Sequence, residues 1–173
     1  DIAEFTTDQL GALTATQAQA LTSTNMAGLA DTQIQALTTT SLRSMSATNV
    51  ASMSTTQLAA LTTQQTASLT TGQLNALTST KLGAFTESQI EALTTTQVAA
   101  ISTTSLGSLD ATQVAALTAT QVANLTATQI GALTTTNLSS FTDTQVGAIT
   151  ATQIKSLSTT NLSALGETQT GAL

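Results

Sequence analysis

Large apolar residues return along this chain every eight positions. From Phe5 to Ala172 the sequence divides without a gap into 21 octads, and the register never slips. With the octad numbered 1 to 8, position 1 is always Leu, Phe, Met or Ile. Position 6 is Leu, Ile, Val or Met in 18 of the 21, the exceptions being Ala18, Thr66 and Thr170. Position 8 is Ala, Ser or Gly everywhere except Asn124. Position 2 is Thr, Ser or Asp in 19 octads, failing at Ala30 and Gly166, and position 5 is Gln in 14. Positions 3 and 7 take almost anything small or charged. This pattern predicts two buried anchors, one close-packed small site and two solvated sites.

No uniform element satisfies an eight-residue period. Eight residues on a continuous helix advance about 800°, so each position-1 residue would be turned about 80° from the last and the apolar stripe would wind around the whole helix. A continuous strand fails as well, because positions 1 and 6 have opposite parity and would point to opposite faces. A broken helix fits. Thr at position 2 and Gln at position 5 form the capping box, in which the Thr oxygen accepts from the third helical N–H while the Gln side chain returns to the Thr N–H. Positions 1 and 6 then become the partners of a hydrophobic staple. In the stretch LTATQVANLTATQIGAL (117–133), Thr118 with Gln121 and Thr126 with Gln129 are the expected caps. Leu117 with Val122 and Leu125 with Ile130 are the expected staples.

Charge placement agrees with that register. Asp31, Glu87, Asp143 and Glu167 occupy position 3, Asp8 position 4 and Asp110 the cap, so six of nine acids fall at the positive end of the expected helices. Arg43 and Lys155 both fall at position 7, near the negative end. Helices this short are unstable in isolation, so they must be held by stacking. The expected fold is therefore all-α: a solenoid of 21 eight-residue units, each a short capped helix. The alternative is a β-solenoid, since Thr, Val and Ile favour strands. That alternative leaves the Gln at position 5 and the acid placement without a role.

A longer period overlies the octad. The segments at 29–46, 85–102 and 141–158 align at a spacing of seven octads. Gln at position 5 is replaced at Asn25, Asn49, Lys81, Ser105, Asn137 and Asn161, with spacings alternating 24 and 32, and Ser41 stands outside the series. The mean spacing of 3.5 octads predicts one superhelical turn in that length; plain duplication of a 56-residue block also accounts for it. The organisation read from the sequence is thus a lead-in at residues 1–4 and a single repeat array at 5–173.

Composition narrows the function. Only 7% of residues are charged, and there is no Pro, Cys, His, Trp or Tyr. A net charge of −6 with three basic residues argues against a nucleic-acid partner, because neutralising phosphates takes clustered Lys and Arg. No apolar run approaches the roughly 20 residues of a membrane-spanning helix, so no membrane insertion is expected. Without His or Cys the usual catalytic base and thiol are missing. The acids Glu87 and Glu91, four apart, read as a solvated helix face. No enzyme activity, cofactor or metal site is expected.

Two features carry binding chemistry. Threonine rows at positions 2 and 4 resemble the Thr-x-Thr spacing of ice-binding solenoids, which implies ice or a repetitive polysaccharide as ligand. Asn124, Asn137 and Asn161 head Asn-x-Ser/Thr sequons. The octads LTTTQVAAI and LTATQIGAL also resemble the arrays in long, repetitive secreted or surface proteins of bacteria, often adhesin-like. That resemblance implies an extracellular rod, stalk or filament-forming segment, poor in sites for trypsin-like proteases. Neither end shows a polar capping repeat, so the expectation is an excerpt of a longer array or self-association, end to end or laterally. A far-ultraviolet circular dichroism spectrum with helical minima is expected; a β spectrum would return the threonines to an exposed flat face.

Overall fold

A computed structural model describes residues 2–173. A 3-10 turn at Ile2–Glu4 is followed by 21 α-helices, numbered α1 to α21 in chain order, one per octad, from α1 (Thr7–Gly11) to α21 (Glu167–Gly171). Each is four to six residues long, and no strand occurs among the described residues. The fold is all-helical and the β alternative is not supported.

Helix breaking needs no glycine. The chain has no residue at positive φ among those described. The interruption comes from extended residues: Leu37 at φ −62°, ψ 133° closes α4 (Asp31–Ala36), and Thr38 at φ −69°, ψ 155° opens α5 (Thr39–Ser44). Thr is β-branched and sits comfortably in extended backbone. Its hydroxyl then accepts the Ser41 amide at 3.0 Å and starts the next helix.

The chain forms two compact units, one ending at Ala92 and the other running Leu93–Leu173. Within the first, α1 packs on α4, α2 (Ala15–Gln19) on α5 and α3 (Ser23–Ala27) on α6 (Ala47–Ser52). Within the second, α13 (Thr103–Gly107) packs on α16 (Ala127–Gly131), and α15 (Ala119–Ala123) on α18 (Asp143–Gly147). Within each unit, helices therefore pack on the third helix along the chain, the arrangement of a solenoid.

The core consists of the two anchor positions. In the first unit position 6 is buried from Leu10 to Ile90 and position 1 from Leu29 to Phe85; in the second, position 6 is buried from Val98 to Val146 and position 1 from Leu93 to Ile149. Leu117 and Leu125 are buried, and Val122 and Ile130 fully so. The exceptions at position 6 stay inside too. Ala18 is fully buried, and Thr66 turns its hydroxyl back onto the Thr62 carbonyl at 3.0 Å, so that its methyl group is what it presents to the apolar core.

Position 7 is not simply solvated. A methyl group on Gly131 would lie 2.8 Å from the Ser156 carbonyl oxygen, and one on Gly147 3.1 Å from that of Ala172; in the first unit Gly11 faces the Ala36 carbonyl at 3.3 Å. In all three the contacted carbonyl belongs to position 8 of the third octad on, so in these octads position 7 runs beneath the end of the third helix on. Gly107 has open space around it. Gly131→Ala is therefore expected to destabilise by about 1–3 kcal/mol. Gly107→Ala is expected to stabilise by about 0.5–1 kcal/mol through helix propensity. Urea melts of the two variants check the pair, and equal effects would contradict the packing.

Candidate functional site

The most heavily used polar group in the chain is the side-chain amide at position 5. Its oxygen closes the capping box. Gln121 Oε1 accepts from the Thr118 amide at 2.7 Å while Thr118 Oγ1 accepts from the Gln121 amide at 3.1 Å; Gln129 and Thr126 repeat this at 2.8 and 3.1 Å. The box satisfies two of the N-H groups that a helix start leaves without partners.

Its nitrogen works one turn away. Gln129 Nε2 donates to the carbonyls of Val98 at 2.9 Å and Ile101 at 2.7 Å, 31 and 28 residues back. Gln145 reaches Val114 and Leu117, and Gln153 reaches Val122 and Leu125, with the same offsets. Gln57, Gln65, Gln73 and Gln89 do the same within the first unit, and Gln121 Nε2 donates to Leu93 at 2.7 Å. In Gln57, Gln65, Gln73, Gln89, Gln129, Gln145 and Gln153 the two shortest bonds go to a position-6 and a position-1 carbonyl, at the end of one helix and in the extended link to the next, whereas Gln33 reaches Ala3 and Phe5. These carbonyls lie where the helical ladder runs out, and the amide nitrogen carries two hydrogens to meet both.

The offset of 28 residues between Gln129 and Ile101 fixes the turn. Position 5 sits above the junction between octads, 3.5 octads back, rather than above its own counterpart. Among the described residues no buried side-chain nitrogen or oxygen lacks a partner. Burying an amide at this depth without partners would cost on the order of 2–7 kcal/mol, so the pair of hydrogen bonds to the turn below is what permits Gln129 to be 3% exposed.

Replacements at position 5 shorten or alter the link. Asn137 donates only to Leu109 at 3.1 Å and Asn161 only to Leu133 at 3.0 Å, both 28 residues back. Ser41 reaches Leu13 at 3.0 Å, while Lys81 sends its ammonium to the Ala51 carbonyl. Asp110 is an acid at the cap itself. The Gln113 amide, followed by the Thr112 hydroxyl, donates to its carboxylate and holds its pKa below the ordinary aspartate value, the small effect of burial running the other way.

The other candidate groups are less engaged. Thr118, Thr126 and Thr134 use their hydroxyls as cap acceptors, whereas position 4, Thr in 17 of 21 octads, is exposed in every octad. Of the three sequons, Asn124 is exposed with its amide on the Thr120 carbonyl at 2.8 Å, while Asn137 and Asn161 are buried between turns. No group of three or more acids is placed to hold a metal ion among the described residues, and no helix is long and apolar enough to cross a membrane.

Capping alone does not require Gln, since Glu caps equally well; the inter-turn bonds do. That requirement was visible as an absence, because position 5 is never Asp or Glu. Gln129→Glu keeps the cap acceptor but sets a carboxylate against two carbonyls. The expected loss at pH 7 is about 3–5 kcal/mol. Its folded-state pKa is raised above the unfolded value of about 4.3, so the loss starts as pH rises through that value and is complete above the folded pKa. Below about pH 4 the neutral acid donates to one carbonyl and part of the stability returns. Denaturation midpoints at pH 7 and pH 4 check this, and a variant no less stable at pH 7 than at pH 4 would contradict it.

Residues 34–71 and 66–103 match the family model described as the ALTTAQ repeat. The stretches ALTTTS at 36–41, ALTTQQ at 60–65 and ALTTTQ at 92–97 lie within those matches. No curated protein matches the chain. The matched region is a repeat region similar to the ALTTAQ repeat.

Proposed function

We propose that this helical repeat protein is a non-catalytic structural scaffold, a rod, stalk or filament-forming segment of a secreted or surface protein. The observation that carries this reading is the inward use of its polar chemistry. Position-2 hydroxyls cap helices, position-5 amides join turns, and each octad repeats the same roles rather than converging on one place. Such a design adds length without adding a new kind of site. The surface placement draws further support from the scarcity of basic residues. Arg43 and Lys155 are the exposed ones, and the Lys81 ammonium is bonded to a backbone carbonyl, so trypsin-like proteases find few targets.

The alternative, a Thr-based face for ice or polysaccharide, has the exposed position-4 hydroxyls in its favour. Against it, 3.5 octads per turn rotates each octad about 100° from the last. Neighbouring hydroxyls along the chain then face different directions instead of one flat ligand.

Inserting a second copy of residues 85–140 in register tests the scaffold. The long dimension measured by electron microscopy is expected to grow in proportion to the added octads, and antibodies to the repeat are expected to label intact producing cells. A particle that thickens without lengthening would sink the rod. Signal confined to permeabilised cells would sink the surface placement.

A further inference from the structure

The short residues at position 5 are arranged with respect to the turn. We propose that the Asn octads of the second unit form a compliant seam, along which successive turns part more readily than at the Gln octads. Two independent losses meet there. The first is between turns, where Gln145 and Gln153 each hold a carbonyl 28 and a carbonyl 31 residues back, while Asn137 and Asn161 hold only the one at 28. One methylene less leaves the amide short of the farther acceptor. That acceptor is not orphaned: Leu106 and Ile130 still receive the Leu109 and Leu133 amides at 3.2 Å. The missing bond is thus a link forgone, without a buried group left unpaired.

The second loss is in the cap. At Asn161 only the Ser158 hydroxyl bond remains, and the return bond to the cap amide is not formed; Asn49 in the first unit shows the same with Ser46. Asn137 keeps its return bond but at 3.2 Å, against 2.7 Å in Gln145. In that first unit Asn49 also donates to Leu21, 28 residues back, and no farther carbonyl is among its acceptors.

Placement makes these losses a seam. Asn137 and Asn161 are three octads apart, half an octad short of one turn, so they lie within about 50° of each other around the turn. In the second unit the Gln octads occupy the rest of the circumference. Turns joined by double links on most of the perimeter and single links in one sector open in that sector first, which gives the scaffold a preferred direction of flexing. The seam is a property of the folded chain by itself. Failure to find the protein on cell surfaces would leave it standing, and its own failure would leave the scaffold reading standing.

Native-state hydrogen exchange on the full chain tests it. The amides of Ile130, Leu138 and Val146 are equivalent reporters. Each belongs to a fully buried residue and donates to its cap carbonyl at 2.9–3.0 Å. Leu138 is expected to exchange about fivefold faster than the other two, the effect of one net hydrogen bond on local opening. Asn137→Gln is expected to slow Leu138 to its neighbours' rate, and Gln145→Asn to speed Val146 by a similar factor. Equal rates for the three amides in the unaltered chain would overturn the proposal without recourse to any variant. So would an Asn137→Gln chain in which Leu138 exchanges as fast as before.

Discussion

A single side-chain amide, used at both ends, holds this fold together. Helices of four to six residues have no stability of their own in water, and there is no strand ladder among the described residues to join them. At position 5 the Gln oxygen starts one helix and the nitrogen fastens that start to the end of another, 28 to 31 residues earlier. Start and end of different helices thereby become one hydrogen-bonded unit. The apolar anchors supply the driving force for burial, but they are non-directional. The amide decides how far the chain travels before it lies on itself.

Much of this can be read from the residues. The octad, the cap, the acids at helix starts and the extended break all follow from Thr and Gln three apart with apolar residues on either side. The far end of the Gln could not be read from the capping box, because that motif is satisfied by Glu as well. Position 7 was obscured for a different reason. Its mixture of Gln, Arg, Glu, Ala and Gly looks like a surface, yet Gly131 and Gly147 lie against the carbonyls of Ser156 and Ala172. Where long side chains appear, as at Gln35 and Arg43, they are exposed, so the same position serves both packing and solvent. The division after Ala92 falls on an octad boundary and carries no change of composition. Contact density within the fold is not written in local pattern.

Burying an amide in most octads also fixes register. Leu, Ile and Val at positions 1 and 6 would tolerate sliding one turn over another, because apolar contacts are similar at many offsets. An amide with two hydrogens and a capped oxygen has few places to go. Displacing Gln145 from Val114 and Leu117 would leave the Leu117 carbonyl and a side-chain amide buried without partners, a larger cost than a typical apolar mismatch. A slip of a whole octad restores the general pattern but not the exceptions. Thr66, Ala18 and the Asn residues would meet the wrong neighbours.

The seven-octad period follows from the two shorter ones. The octad recurs every eight positions and the turn every 28, the offset of the Gln129 link to Ile101, and 56 is the first length divisible by both. Only after two turns and seven octads does a residue recover both its place in the octad and its direction around the turn. A substitution that matters for one side, such as a shorter amide or an acid at a helix start, is therefore free to recur at 56 and constrained at 8. Asn25 with Lys81 and Asn137, and Asn49 with Ser105 and Asn161, recur at that interval. Duplication of a seven-octad block and the geometry of the turn are then compatible accounts of one fact. A duplicated block of any other whole number of octads, unless itself a multiple of seven, would have set its exceptions on a different side each time.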